Sequence, residues 1–244
     1  MDALELLEAH RYEEAINAYR INLQETPDDW ASFAGLARVL QASGDYEAAL
    51  PLFERVDEYE RQRTPGSAGR KADMACVQWC LGRREEAKQL MRGLVDGILD
   101  RTIQFADLAG GVQQGALLYF MGITTHDSEA ADYALAYLRR LSKKSRIKHW
   151  PGPVALHLLG QLDAGTLLNE ACGHSHIAAA SQAVADSILS RRQLCVALFH
   201  VGSALRAQGL ETECAEWMRA CVALKNPLVE PEWFLAKHEF QHHP

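Results

Sequence analysis

The sequence predicts an all-α protein built as a solenoid of helical hairpins. The first observation is an internal repeat. His10-Arg11-Tyr12-Glu13-Glu14-Ala15-Ile16 returns as Gly44-Asp45-Tyr46-Glu47-Ala48-Ala49-Leu50, pairing Tyr12 with Tyr46, Ala15 with Ala49 and Tyr19 with Phe53 at a spacing of 34 residues. A period of this length belongs to stacked helical hairpins. The second is apolar spacing: Phe33, Leu36, Ala37 and Leu40 recur on one helical face, and no strand-like alternation persists. The third is punctuation. The chain has 8 prolines, of which Pro27, Pro65, Pro151 and Pro231 fall where helices should end or begin.

Taken in order, residues 1–27 predict a short helix, a turn at His10-Arg11 and a second helix stopped by Pro27. Residues 30–43 and 46–61 form the next hairpin around Gly44-Asp45, with Ala49, Phe53 and Val56 inward. An inserted loop, Arg63 to Arg70, precedes a third hairpin over 70–98, in which Gly82 makes the turn and Ala87 and Met91 pack inward. Residues 103–123 and 128–142 make a fourth, with Ala130, Ala131 and Ala134 equally suited to its small position. Trp150-Pro151-Gly152-Pro153 breaks the pattern. Helices are expected at 154–162, 164–172 and 175–190, and a last hairpin at 195–224. In that hairpin Leu198, Val201, Gly202 and Leu205 face Cys214, Met218 and Cys221 across a turn at Gly209. Pro231 opens a final helix, expected to cover the last apolar face. Residues 1–148 and 149–244 thus read as two halves of one continuous solenoid.

The segment from Trp30 to Arg63, with its large–Leu–small–aromatic first helix, Gly44-Asp45-Tyr46 turn and Ala49/Phe53 second helix, resembles the tetratricopeptide repeat. That resemblance implies a right-handed superhelix whose first helices line a concave protein-binding groove. Trp150-Pro151, Leu158-Leu159-Gly160, Leu194 to Gly202 and Glu232-Trp233 to Glu239 are similar, in their order, to the closing half of bacterial tetratricopeptide proteins. These include a lipoprotein scaffold that docks peptidoglycan hydrolases, and immunity proteins encoded beside secreted toxins. The lipobox cysteine and signal of the lipoprotein have no counterpart here.

A formal charge of -7 and a pI near 5.8 argue against general nucleic-acid binding and for solubility, or for a basic protein partner. The start of the chain has neither a basic n-region nor an apolar h-region, and no apolar run reaches membrane-spanning length. The expectation is a cytoplasmic chain whose 6 cysteines are free thiols, with no membrane contact.

Helical spacing leaves certain first-helix positions facing the groove: Arg38 and Gln41, then Cys76, Trp79 and Cys80, then Phe199, Ser203 and Arg206. Arg38, Gln41, Trp79, Phe199 and Arg206 are the expected partner-binding residues, with Trp79 foremost because Trp and Arg are enriched at interface hot spots. Packing of Trp79 against the neighbouring hairpin is the competing expectation. As a chaperone-tail clamp, which the resemblance would require to be rich in Lys, Asn and Arg, these positions fit poorly. Arg139, Arg140, Lys143, Lys144, Arg146 and Lys148 form a basic run, read as a helix C-terminus followed by a solvated linker or as a dock for an acidic surface.

Signs of chemistry are sparse. Cys172-Gly173-His174-Ser175-His176 has the makings of a metal-site fragment, but needs converging ligands from elsewhere, such as Cys195 or His200. Cys76 and Cys80, at i and i+4, are not a redox C-x-x-C pair, and Gly66 to Lys71 lacks phosphate-loop spacing. The tail residues His238, His242 and His243 read as solvated. No catalytic residue, metal or cofactor is implied. The sequence reads as a non-catalytic module that binds a dedicated protein, such as a toxin or hydrolase. Self-association, or a metal protein centred on Cys172, His174 and His176, is the alternative.

Overall fold

The computed structural model describes residues 2–104, 107–173, 188–224 and 230–242. These form 13 α-helices and one 3-10 turn (Ser145–Lys148). The helices are α1 (Ala3–Glu8), α2 (Tyr12–Glu25), α3 (Trp30–Ser43), α4 (Tyr46–Arg63), α5 (Lys71–Cys80), α6 (Arg84–Leu99) and α7 (Val112–Thr124). They continue as α8 (Ser128–Leu141), α9 (Gly152–Leu158), α10 (Ala164–Ala171), α11 (Ile188–Arg206), α12 (Glu211–Val222) and α13 (Pro231–His242). Among the described residues no helix is long and apolar enough to cross a membrane.

Local chemistry sets the boundaries. Asp29, Asp45, Asp127 and Asp163 each cap a helix by accepting from a backbone N–H of its first turn. Gly44 closes α3 in the left-handed region. The predicted start of the fourth hairpin at 103 is corrected to Val112. Gly110 and Gly111 both take positive φ, near +99° and +94°, and Asp107 accepts from both of their N–H groups, so the chain turns here before it can coil. The break expected between 190 and 195 is absent, since α11 runs unbroken from Ile188 to Arg206. The helix predicted over 175–190 falls largely outside the described residues.

Successive helices pair as antiparallel hairpins (α3 with α4, α5 with α6, α7 with α8, α11 with α12), and the stack is an all-α helical solenoid. One apolar core extends from Leu6 through Phe53, Met91, Phe120 and Phe199 to Leu235. It is tightest where small residues let helices touch. A Cβ on Gly122 would stand 2.6 Å from the Ala131 backbone nitrogen. This fixes the register that Ala130, Ala131 and Ala134 left open, with all three buried. At Gly202 a Cβ would meet Met218 Cε at 3.1 Å and the Cys214 carbonyl oxygen at 3.3 Å.

Replacing either glycine should therefore pry a hairpin apart. Gly202→Leu is expected to lower stability by roughly 1–3 kcal/mol, as overpacking does, and Gly122→Leu by more, because backbone stands 2.6 Å from its Cβ and no nearer than 3.3 Å at Gly202. Melting temperatures unchanged in both variants would contradict this packing.

Candidate functional site

The face expected to be a groove is lined by α3, α5, α7 and α11, the first helices of their hairpins. It is filled by the chain's own last helix. α13 packs on α5, α11 and α12, and its side chains also reach α3, α7 and the α1–α2 turn. Trp233, Phe234, Leu235 and Ala236 are all buried. Burial at this depth contributes roughly 1.5–3 kcal/mol for each large apolar side chain. Occupation from within also fits α7, which is apolar nearly all the way round and buried along most of its length.

Polar contacts orient the helix. The Glu239 carboxylate accepts from Trp79 Nε1 at 3.2 Å and from Arg206 Nη1 at 2.7 Å, with Arg84 Nη2 at 4.0 Å. The Arg84 guanidinium lies 3.9 Å over the Trp79 ring and contacts His238 at 3.3 Å. Burial pulls both guanidinium groups down. At Arg206 Glu239, Cys214 and Glu211 together outweigh it and the net shift is upward, whereas Arg84 remains lowered. Lys237 donates to the Ala42 carbonyl oxygen at 2.7 Å, satisfying an acceptor in the last turn of α3. At the other end of α13, Glu232 accepts from Gln113 at 3.0 Å, with His200 Nε2 3.5 Å away. Glu230 pairs with Arg192.

The predicted contact residues divide accordingly. Trp79 and Phe199 are 0% exposed and Gln41 is 1% exposed. Trp79 packs against Phe120, which packs against Phe199. These three are not open groove residues, as the sequence reading expected, because α13 and the core cover them. Arg38 is half-buried, and the Arg206 side chain keeps 12% exposure beside Glu239. Cys76 and Ser203 are buried too. The Cys76 thiol, which donates to the Pro231 carbonyl oxygen at 3.6 Å, is pushed well up by burial and then by Cys80, so it is no nucleophile.

Of the metal-fragment residues, Cys172 is half-buried, while His174 and His176 lie outside the described residues, as does His243. Cys195 lies 3.4 Å from Cys221, and His200 stands beside Glu232. Among the described residues no group of three or more His, Cys, Asp or Glu could hold a metal ion. His238, read as solvated, is buried against Arg84. Arg139 and Arg140 occupy the last turn of α8, where cations suit the helix dipole. Sequence reasoning missed Arg84, Gln113, Glu232 and Glu239 as site residues, and named His200 only as a possible metal ligand, not as a neighbour of α13. The signal for three of them was present: His200 in the apolar run Leu194 to Val201, and Glu232 and Glu239 flanking Trp233-Phe234-Leu235-Ala236.

Two outcomes follow. Glu239→Ala leaves Arg206, Arg84 and the Trp79 N–H without their shared acceptor, and should cost on the order of 3 kcal/mol in chemical denaturation. Glu239→Gln, which keeps an acceptor, should cost less, and equal losses would contradict the network. Glu230 is pushed up to about 7 from its ordinary 4.5, first by burial and then by Glu232, against the pull of Arg192. Its folded value lies above its unfolded one. The stability it contributes is therefore fully present below pH 4.5 and lost as pH rises through 7. Wild-type stability should fall relative to Glu230→Gln across that window, and a difference constant with pH would contradict this assignment.

Comparison with curated proteins gave no match to the chain. Comparison with protein-family models matched residues 6–72, from Leu6 in α1 to Ala72 in α5, to the tetratricopeptide repeat, so the N-terminal hairpins of this solenoid are similar to that family.

Proposed function

We propose that this chain is a non-catalytic protein-binding module that holds one dedicated protein partner, as an adaptor or as the neutraliser of a toxin or hydrolase. Tetratricopeptide repeats generally mediate protein–protein interaction, and the match over 6–72 supports that role. The observation that carries the reading is α13 itself. The inner face holds a helix through aromatic, guanidinium and amide contacts, the chemistry by which solenoids hold peptides. With that face occupied, the partner meets the folded chain with α13 in place. Arg38 and Arg206, which keep accessible surface, remain proposed contacts. Gln41, Trp79 and Phe199 serve instead by shaping the face that holds α13.

Affinity capture from the native source, with the full chain as bait and mass spectrometry as readout, tests this. One partner at near-stoichiometric yield is expected. Recovery of no protein, or only of the chain itself, would overturn it.

A further inference from the structure

A cleft of about 1240 Å³ opens between the second helices of the fourth and last hairpins, α8 and α12. It lies where the pattern breaks: α9 packs on α7, α8 and α11, and the fourth and last hairpins meet through their first helices, α7 and α11. Its floor is Tyr119, Met218 and Phe240, and its walls carry Ala131 and Leu135 from α8 and Ala215 from α12. The volume exceeds the ~300–1,000 Å³ typical of small-molecule sites. The α8 wall runs from Ser128 to Leu135, about 12 Å at helical rise, the scale of two turns of a helix laid alongside.

The charges in it are one-sided. Asp127, Asp132, Glu211, Glu216 and Glu239 face two guanidinium groups, Arg206 and Arg219. Most of these are spoken for within the fold. Asp127 is held by Lys88 at 2.6 Å, Arg206 is shared between Glu239 at 2.7 Å and Glu211 at 3.2 Å, and Arg219 lies 5.4 Å over the Phe240 ring. Asp132 and Glu216 are exposed on opposite walls. They leave a negative rim above an apolar floor.

We propose that this cleft docks a basic amphipathic helix of a partner protein, its apolar face on the half-buried Phe240, Leu135 and Ala215 and its Lys or Arg side chains on Asp132 and Glu216. This rests on the protein-binding reading and names the surface and the chemistry of the partner. Complementary charge would set the orientation and speed encounter, while the apolar floor holds the helix.

The test is fluorescence anisotropy with the full chain and a labelled Leu/Lys amphipathic helical peptide of about four turns. A Leu/Glu peptide of the same pattern is the comparison. The expected result is saturable binding of the basic peptide alone, weakened at least roughly tenfold, about 1.4 kcal/mol, by the double variant Asp132→Lys/Glu216→Lys. The control Glu25→Lys/Glu54→Lys, which changes net charge equally at exposed sites on α2 and α4, should bind nearly as wild type. Equal binding of both peptides, or equal loss in both double variants, would overturn the proposal. So would light scattering that shows the chain alone assembling, with the Asp132→Lys/Glu216→Lys variant monomeric, because the occupant would then be the basic run of a second copy. The native partner provides the separating arm. If capture persists undiminished with Asp132→Lys/Glu216→Lys, the protein-binding reading stands and the cleft is not its site; if the wild-type bait captures nothing, the protein-binding reading itself fails.

Discussion

The carboxylate of Glu239, set between Arg206, Arg84 and the Trp79 indole, is the contact on which the arrangement of this molecule turns. It joins the third hairpin to the last hairpin and the final helix, both remote from it in sequence. A buried charge is tolerated only where partners replace the lost water, and here two guanidinium groups and an indole N–H do so. With that anchor made, Trp233 to Ala236 are drawn into the inner face and the surface that would otherwise be a groove becomes interior.

This changes the energetics expected of a solenoid. In an open stack each hairpin contacts only its neighbours, so stability is a sum of local terms and the ends fray independently. Here Lys237 bonds to Ala42 across 195 positions and Cys76 to Pro231 across 155. The final helix thus runs from the last hairpin to the end of α3 and the α1–α2 turn. The binding consequence is equally direct, because side chains fully buried beneath α13, such as Trp79, are not available to a partner while it stays in place. What the fold leaves open is the α8–α12 cleft, where the succession of hairpins is interrupted.

The hairpins were legible in the sequence because their packing is local. Tyr12 and Tyr46, Ala15 and Ala49, and Tyr19 and Phe53 do the same job one repeat apart, and Asp29, Asp45 and Asp127 announce helix starts through a capping chemistry that needs only adjacent residues. The start of α7 was misjudged because apolar spacing continues upstream of Gly110-Gly111, whose left-handed geometry overrides it. The site was much less legible. Helical spacing put Trp79 and Phe199 on the inward face, which they do occupy, yet no local pattern says what lies against that face. The candidate metal fragment gave no answer in the structure, since His174 and His176 fall outside the described residues.

The central claim is that α13 ties the two ends of the solenoid into one cooperative unit. Hydrogen exchange with mass-spectrometric readout on wild type and Trp233→Ala tests it most directly, because Trp233 is buried between the α1–α2 turn and the end of α12. Protection should fall together in α2–α3 and in α11–α12, by a similar free energy at both ends. Loss confined to α12 and α13, with the N-terminal hairpins exchanging as in wild type, would contradict the account and return the molecule to an open stack with a local cap.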